Sequence, residues 1–274
     1  MAESVGGTES TSRVADVLLL FVEGPSTLGV TRIARELGLS KAVVHRILQS
    51  LAGRDMVVLD PVSREYRLGP SVAALGARAL RESDLRTAAL PLLRRLRDET
   101  RETATLSTPV PHGRVYLDQV VGLHEIKMTV ELGRRFPLHA GSSGKCMLAH
   151  LDHEHRDEVL AAGLESLTPH TPVDPAALRS ELDGIAARGW AVSAGERQAD
   201  AGSVAAPVFG VGGDVVGAIS VCGPRYRMTD DVASALGPRV VAVAAQISRR
   251  LGGDPGRTSV NGAAPVAAGR TNDR

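Results

Sequence analysis

A chain of 274 residues can bury a sizeable core without disulfide staples, and it has room for two modest domains. Its formal charge of +1 argues against a partner held by bulk electrostatics alone, and 3% aromatic residues argue against a stacking platform for single-stranded nucleic acid. The two cysteines, Cys146 and Cys222, are far apart and lack CxxC spacing, so they read as small buried or pocket residues of a reduced protein. The opening MAESVGGTESTSR has no basic n-region and no apolar h-region, and the apolar run Val17 to Val22 is too short to cross a bilayer. A cytoplasmic protein with no membrane partner is expected.

Residues 1–10 and 253–274 are small, polar and aperiodic, and read as disordered tails. Residues 11–70 then carry a series of short helices. Thr11 or Ser12 is expected to cap the first, with Val14, Val17, Leu18 and Phe21 on its apolar side and Gly24-Pro25-Ser26 ending it. Thr31 is expected to cap the second, with Ile33, Ala34 and Leu37 inward and Gly38 as its stop. Ser40 caps a third, KAVVHRILQSLAGR, whose Val44, Ile47, Leu48 and Leu51 fall on one side while Lys41, His45, Arg46 and Gln49 face away. Only Gly38, Leu39 and Ser40 separate the second and third helices, the tight connection of a helix-turn-helix. Met56 to Leu59 and Arg64 to Leu68, joined by Asp60-Pro61-Val62-Ser63, form the hairpin wing of a winged helix-turn-helix.

Residues 71–90 read as a helical linker, followed by a larger domain over 91–252. Pro91 marks a helix start or a kink. Strands are expected at Ala104 to Ser107, Arg114 to Val120, Glu125 to Val130, Ser203 to Phe209 and Val215 to Val221, and helices at Ser143 to His150, Asp174 to Arg188 and Thr229 to Leu251. The fold class is α+β, an antiparallel sheet with helices packed against it.

Double-stranded DNA is the partner these patterns favour. Arg and Lys donate to guanine edges or phosphates and Gln pairs with adenine, which singles out Lys41, Arg46 and Gln49, with His45 beside them. Arg64 and Arg67 of the wing reach the backbone or minor groove, and Thr31 and Ser40 stand at helix starts suited to a phosphate.

The second domain does not read as an enzyme. AGSSGKC at Ala140 to Cys146 fails the phosphate-loop pattern GxxxxGK[ST] twice, since His139 occupies the first glycine position and Cys146 follows the lysine. A Gly-Ser-Ser turn entering a helix still offers N–H groups and hydroxyls to a carboxylate. Cys146 and His139 have no third orienting group to make them nucleophile and base, and His150, His153 and His155 lack metal-ligand spacing and read as surface histidines. No catalytic residue, metal or cofactor is expected. Ser142, Ser143, Ser203, Ser220 and Cys222 remain as polar residues among apolar ones, a lining suited to a small polar or aromatic acid or to a satisfied core.

LSKAVVHRILQSL, the wing ending in YRLG, RVYLDQV, GRRFPLHAGSSGKCMLA, VAAPVF and GAISVCGPRYRMT, in this order over residues 11–252, resemble the IclR family of bacterial transcriptional regulators. The resemblance implies a winged helix-turn-helix, a helical linker and a GAF-like effector-binding domain. It also implies a homodimer or dimer of dimers on operator DNA and a small organic or aromatic acid as effector. Carried onto this chain, the family's pocket adds Met128, Phe136 and Ser193 to the five polar positions above. The alternative is a regulator with a degenerate pocket, acting as an architectural or protein-interaction factor.

Overall fold

The structure, a computed structural model, describes residues 9–254. Most of both predicted tails lies outside the described residues. Within them, Glu9 and Ser10 are helical, and Gly253 donates its N–H to the Ser248 carbonyl at 2.8 Å. Two compact units are present: residues 9–87 with Glu131–Arg135, and Ala88–Val130 with residues 136–254.

The first unit contains α1 (Glu9–Glu23), α2 (Val30–Glu36), α3 (Lys41–Ala52), a hairpin of β1 (Val57–Leu59) and β2 (Tyr66–Leu68), and α4 (Pro70–Arg81). Thr11 and Ser12 lie inside α1, which begins before them, so neither caps it. Gly29, in extended conformation, is the N-cap of α2 and its carbonyl accepts from Arg32 and Ile33, leaving Thr31 in the first turn. Ser40 caps α3 as expected, its Oγ accepting the Val43 N–H at 3.3 Å. Val17, Phe21, Ile33, Val44, Leu48 and Leu51 close over one core with Tyr66 of the wing. Each fully buried aliphatic side chain there contributes about 1.5–3 kcal/mol. Leu28 exchanges two backbone hydrogen bonds with Tyr66, which ties the α1–α2 connection to the wing. In the wing turn the Asp60 carboxylate accepts from the N–H groups of Val62 and Ser63, and these bonds hold its pKa below the usual value.

The second unit is built on α5 (Asp84–Thr100, of which Ala88 onward belongs here), β3 (Thr103–Val110), β4 (Gly113–Val120), β5 (Arg135–Phe136), α6 (Ser142–Ala149), α7 (His153–Ala161), α8 (Pro175–Arg188), β6 (Ala191–Ala194), β7 (Ala201–Phe209), β8 (Val215–Pro224) and α9 (Asp230–Arg250). The strands form one sheet in the order β5-β4-β3-β8-β7-β6, antiparallel from β4 to β6. Helix α9 lays Ala233, Leu236, Val240, Ala244 and Ile247 inward at spacings of three and four. Helix α6 is buried along its whole length and packs with Leu178, Leu182 and Ile185 of α8.

Two expectations are corrected here. Pro91 does not start a helix: α5 runs through it, without the one ladder bond that its missing N–H would give to the Thr87 carbonyl, and Arg250 donates to the Ala88 carbonyl at 3.0 Å. Glu125 to Val130 is not a strand, although its apolar residues alternate. Side chains replace the ladder: Gln119 bonds both backbone groups of Val130, at 2.8 and 2.9 Å, and Thr103 donates to the Met128 carbonyl at 2.5 Å. The region of His153 and His155 is the helix α7, capped by Asp152.

Candidate nucleic-acid interface and ligand cavity

The exposed side of α3 carries Lys41, His45, Arg46 and Gln49, because the 3.6-residue period that buries Val44, Leu48 and Leu51 turns these four outward. His45 and Gln49 share a shallow concavity with Tyr66 and Arg64 of the wing. Arg64 is exposed and sits at φ 59, so the wing turns sharply at that position. Arg67, Thr31 and Ser40 are exposed outside that concavity. The side chains of Lys41, Arg46 and Arg64 have no hydrogen-bond or ion-pair partner among the described residues, whereas Arg32 on α2 is bonded to Glu36 at 2.6 Å. These three donors thus stand open on one helix face and its wing.

In the second unit the sheet register sets Ser193 opposite Ser203 and Ser203 opposite Cys222, a row of three side chains on one face across β6, β7 and β8. This row lines a small cavity of roughly 30 Å³. Gly141 and Ser142 at the start of α6 and Met128 close it from other sides, and Ser142 Oγ lies 2.7 Å from Ser203 Oγ. Five of the eight expected pocket residues therefore meet: Met128, Ser142, Ser193, Ser203 and Cys222. Phe136, Ser143 and Ser220 do not line this cavity. Phe136 packs edge-on against Tyr116, centroids 5.6 Å apart; Ser220 is bonded to Thr105 at 2.6 Å inside the sheet; Ser143 is buried with its hydroxyl unpartnered.

Residues the sequence reading did not select complete the wall. Arg114 and Tyr116 of β4, with Arg197 and Gln198 from the β6–β7 connection, face the same space. Arg114 is 1% exposed, donates to the Tyr116 hydroxyl at 3.2 Å, and leaves Nε and Nη1 unpartnered. Its guanidinium carbon lies 4.5 Å from the Tyr116 centroid, and that of Arg197 lies 4.6 Å from the Phe136 centroid. The available signal was an arginine two residues before a tyrosine on a strand, hence on the same face as a buried aromatic.

Gly141 adopts φ 86, a conformation that disfavours a side chain, and a Cβ there would meet Arg114 Nη2 at 3.5 Å. Its N–H donates to Glu196 at 2.9 Å, and the other oxygen of Glu196 accepts from buried Lys145, which also bonds Glu181. The lysine of the false phosphate loop is thus engaged by two carboxylates. Burial pushes the Glu196 pKa up, against the opposing pull of Lys145.

Cys146 and His139 are apart in role. Cys146 donates to the Ala205 carbonyl and burial pushes its pKa up to about 12, while His139 bonds the Glu165 carbonyl at 2.9 Å. His150 is half-buried rather than a surface residue: it packs edge-on to Phe209 and bonds the Cys146 carbonyl, and burial lowers its pKa. Among the described residues no cluster of three potential ligands suits a metal ion, and no helix is long and apolar enough to cross a membrane.

Residues 10–61 match the model of the IclR helix-turn-helix domain and residues 77–249 that of the bacterial transcriptional regulator IclR C-terminal domain. The chain is 36% identical over 248 residues, 90% of this chain and 88% of the relative, to the HTH-type transcriptional regulator BhcR of Paracoccus denitrificans. Among solved structures it is similar to an IclR transcriptional regulator from Alicyclobacillus acidocaldarius, with a TM-score of 0.79 and 29% identity over 90% of this chain and 100% of that one. It is also similar to an IclR homologue from Microbacterium hydrocarbonoxydans complexed with 4-hydroxybenzoate, with a TM-score of 0.70 and 27% identity over 89% and 99%. A helix-turn-helix unit followed by an α+β unit, matched over nearly the whole described length, makes this chain a member of the IclR family of bacterial transcriptional regulators.

Proposed function

We propose that this regulator recognises a specific operator through α3 and the wing, and that a small organic or aromatic acid bound in the second unit controls its affinity for that operator. The carrying observation is the coexistence of an outward face of unpaired donors on α3 with a polar, cationic cavity in the second unit. Lys41, Arg46 and Gln49 are assigned to base edges, with His45 assisting; Thr31, Ser40, Arg64 and Arg67 are assigned to phosphates. Met128, Ser142, Ser193, Ser203 and Cys222 are assigned to the effector, with Phe136, Ser143 and Ser220 supporting them. The relative holding 4-hydroxybenzoate supports the acid class.

The regulator acts in the cytoplasm as a homodimer or dimer of dimers, matching repeated half-sites. Helix α4 supports self-association, because its apolar residues leave it without one buried position. The effector works by binding one DNA-affinity state better than the other, so tight binding without that difference changes nothing. Residues 11–70, 71–90 and 91–252 are assigned to reading DNA, linking, and sensing. Mapping occupancy across the native genome tests the reading. A few sharp, symmetric sites beside genes of one pathway are expected, and diffuse occupancy would favour an architectural role.

A further inference from the structure

The cavity holds two arginines and no carboxylate. Glu196, the acid nearest in sequence, does not line it and is engaged by Lys145 and the Gly141 N–H, and Glu102 is engaged by Arg227. Arg114 is fully buried with two guanidinium nitrogens unpartnered, and Arg197 has no hydrogen-bond or ion-pair partner among the described residues. Burying a guanidinium without an anion is strongly unfavourable, and its planar fork matches a carboxylate in bidentate geometry. Helix α6 begins against the same space without a side-chain cap, so its first N–H groups add a positive end to the dipole.

We propose that the effector is a short aliphatic dicarboxylate, one carboxylate held by Arg114 with the start of α6 and the other by Arg197. This rests on the effector-controlled reading above and narrows it. Two guanidinium groups facing one cavity match two negative charges, since a monocarboxylate pairs with only one of them. The position of each arginine gives the order: Arg114 is buried and Arg197 half-exposed, so one end of the ligand enters deep and the other stays near the mouth. The cavity is small, roughly 30 Å³, which favours a short ligand over a long one. Met128, Val130 and Tyr116 offer apolar contact to methylene groups, which inorganic phosphate does not have.

Calorimetric titration of the full-length protein with malonate, succinate, propionate, benzoate and inorganic phosphate tests this, with operator affinity measured on the same samples. Malonate or succinate is expected to bind at least about tenfold tighter than propionate or benzoate. Arg197→Gln is expected to bring the dicarboxylates down to the monocarboxylate level while leaving propionate unchanged, and Arg114→Gln to weaken both. Should Arg114→Gln fail to fold, the half-exposed Arg197 variant decides alone. Equal affinity for mono- and dicarboxylates, tighter binding of phosphate, or no binding of any dicarboxylate overturns the proposal. Propionate or benzoate binding as tightly as the dicarboxylates or tighter, with a shift in operator affinity, would leave the effector-controlled reading standing while removing the dicarboxylate. Intact operator binding with no response to any acid would remove both.

Discussion

Arg46 has no hydrogen-bond or ion-pair partner among the described residues, so its guanidinium reaches DNA without first breaking an ion pair with one of them. Arg46→Ala is expected to weaken operator binding by about 1–3 kcal/mol if the contact is a bidentate base contact. Fluorescence anisotropy on operator and random DNA separates the roles, because equal loss on both assigns Arg46 to a phosphate. The two thiols make a second residue-scale expectation. Burial raises Cys146 and Cys222 to about 12, so both are neutral at pH 8 and alkylate slowly in the folded protein. Rapid labelling at pH 8 without unfolding would contradict that. His150 was misread as a surface residue because nothing in LAHLDHEH shows that Phe209, far along the chain, covers it. Arg114 and Arg197 escaped selection for a similar reason. An isolated arginine reads as solvated surface until the fold turns it toward an aromatic pair.

Elements with strong local punctuation were legible. Ser40 before α3, Asp174 before α8 with Pro175 as its first residue and Gly189 at φ 81 after it, and Thr229 before α9 mark their ends through capping, and their apolar spacing marks the buried side. Elements lacking such signals were not. Helix α7 buries only Arg156 and Leu160 and has no apolar stripe, while β5 and β6, of two and four residues, are too short for a period to show. The alternation in Glu125 to Val130 misled because the side chains of Gln119 and Thr103, not a neighbouring strand, take up that backbone. Helix α6 meets its surroundings closely: a Cβ on Gly144 would sit 2.6 Å from the Leu138 carbonyl oxygen, so Gly144→Ala must displace the helix. Lys145 anchors it electrostatically. Lys145→Met leaves Glu196 buried without its cation and is expected to destabilise the fold by about 3–5 kcal/mol in chemical denaturation. Adding Glu196→Gln should recover part of that loss, and a neutral single variant would contradict the buried-pair account.

Across the whole molecule, the order of units was readable because each has its own pattern: helical spacing closed by a hairpin, then alternating strands interrupted by capped helices. The operator and the direction of control are not written in that pattern, since they depend on where binding sites lie relative to promoters. Coupling between an effector and DNA is a free-energy difference between two states, typically a 5–150-fold change in affinity, or about 1–3 kcal/mol. The most direct test is anisotropy of the full-length protein on an operator found by occupancy mapping, with and without saturating malonate or succinate. A change in operator affinity of about tenfold, abolished in Arg114→Gln, is expected. Unchanged affinity in the presence of acid that calorimetry shows to be bound would contradict effector control.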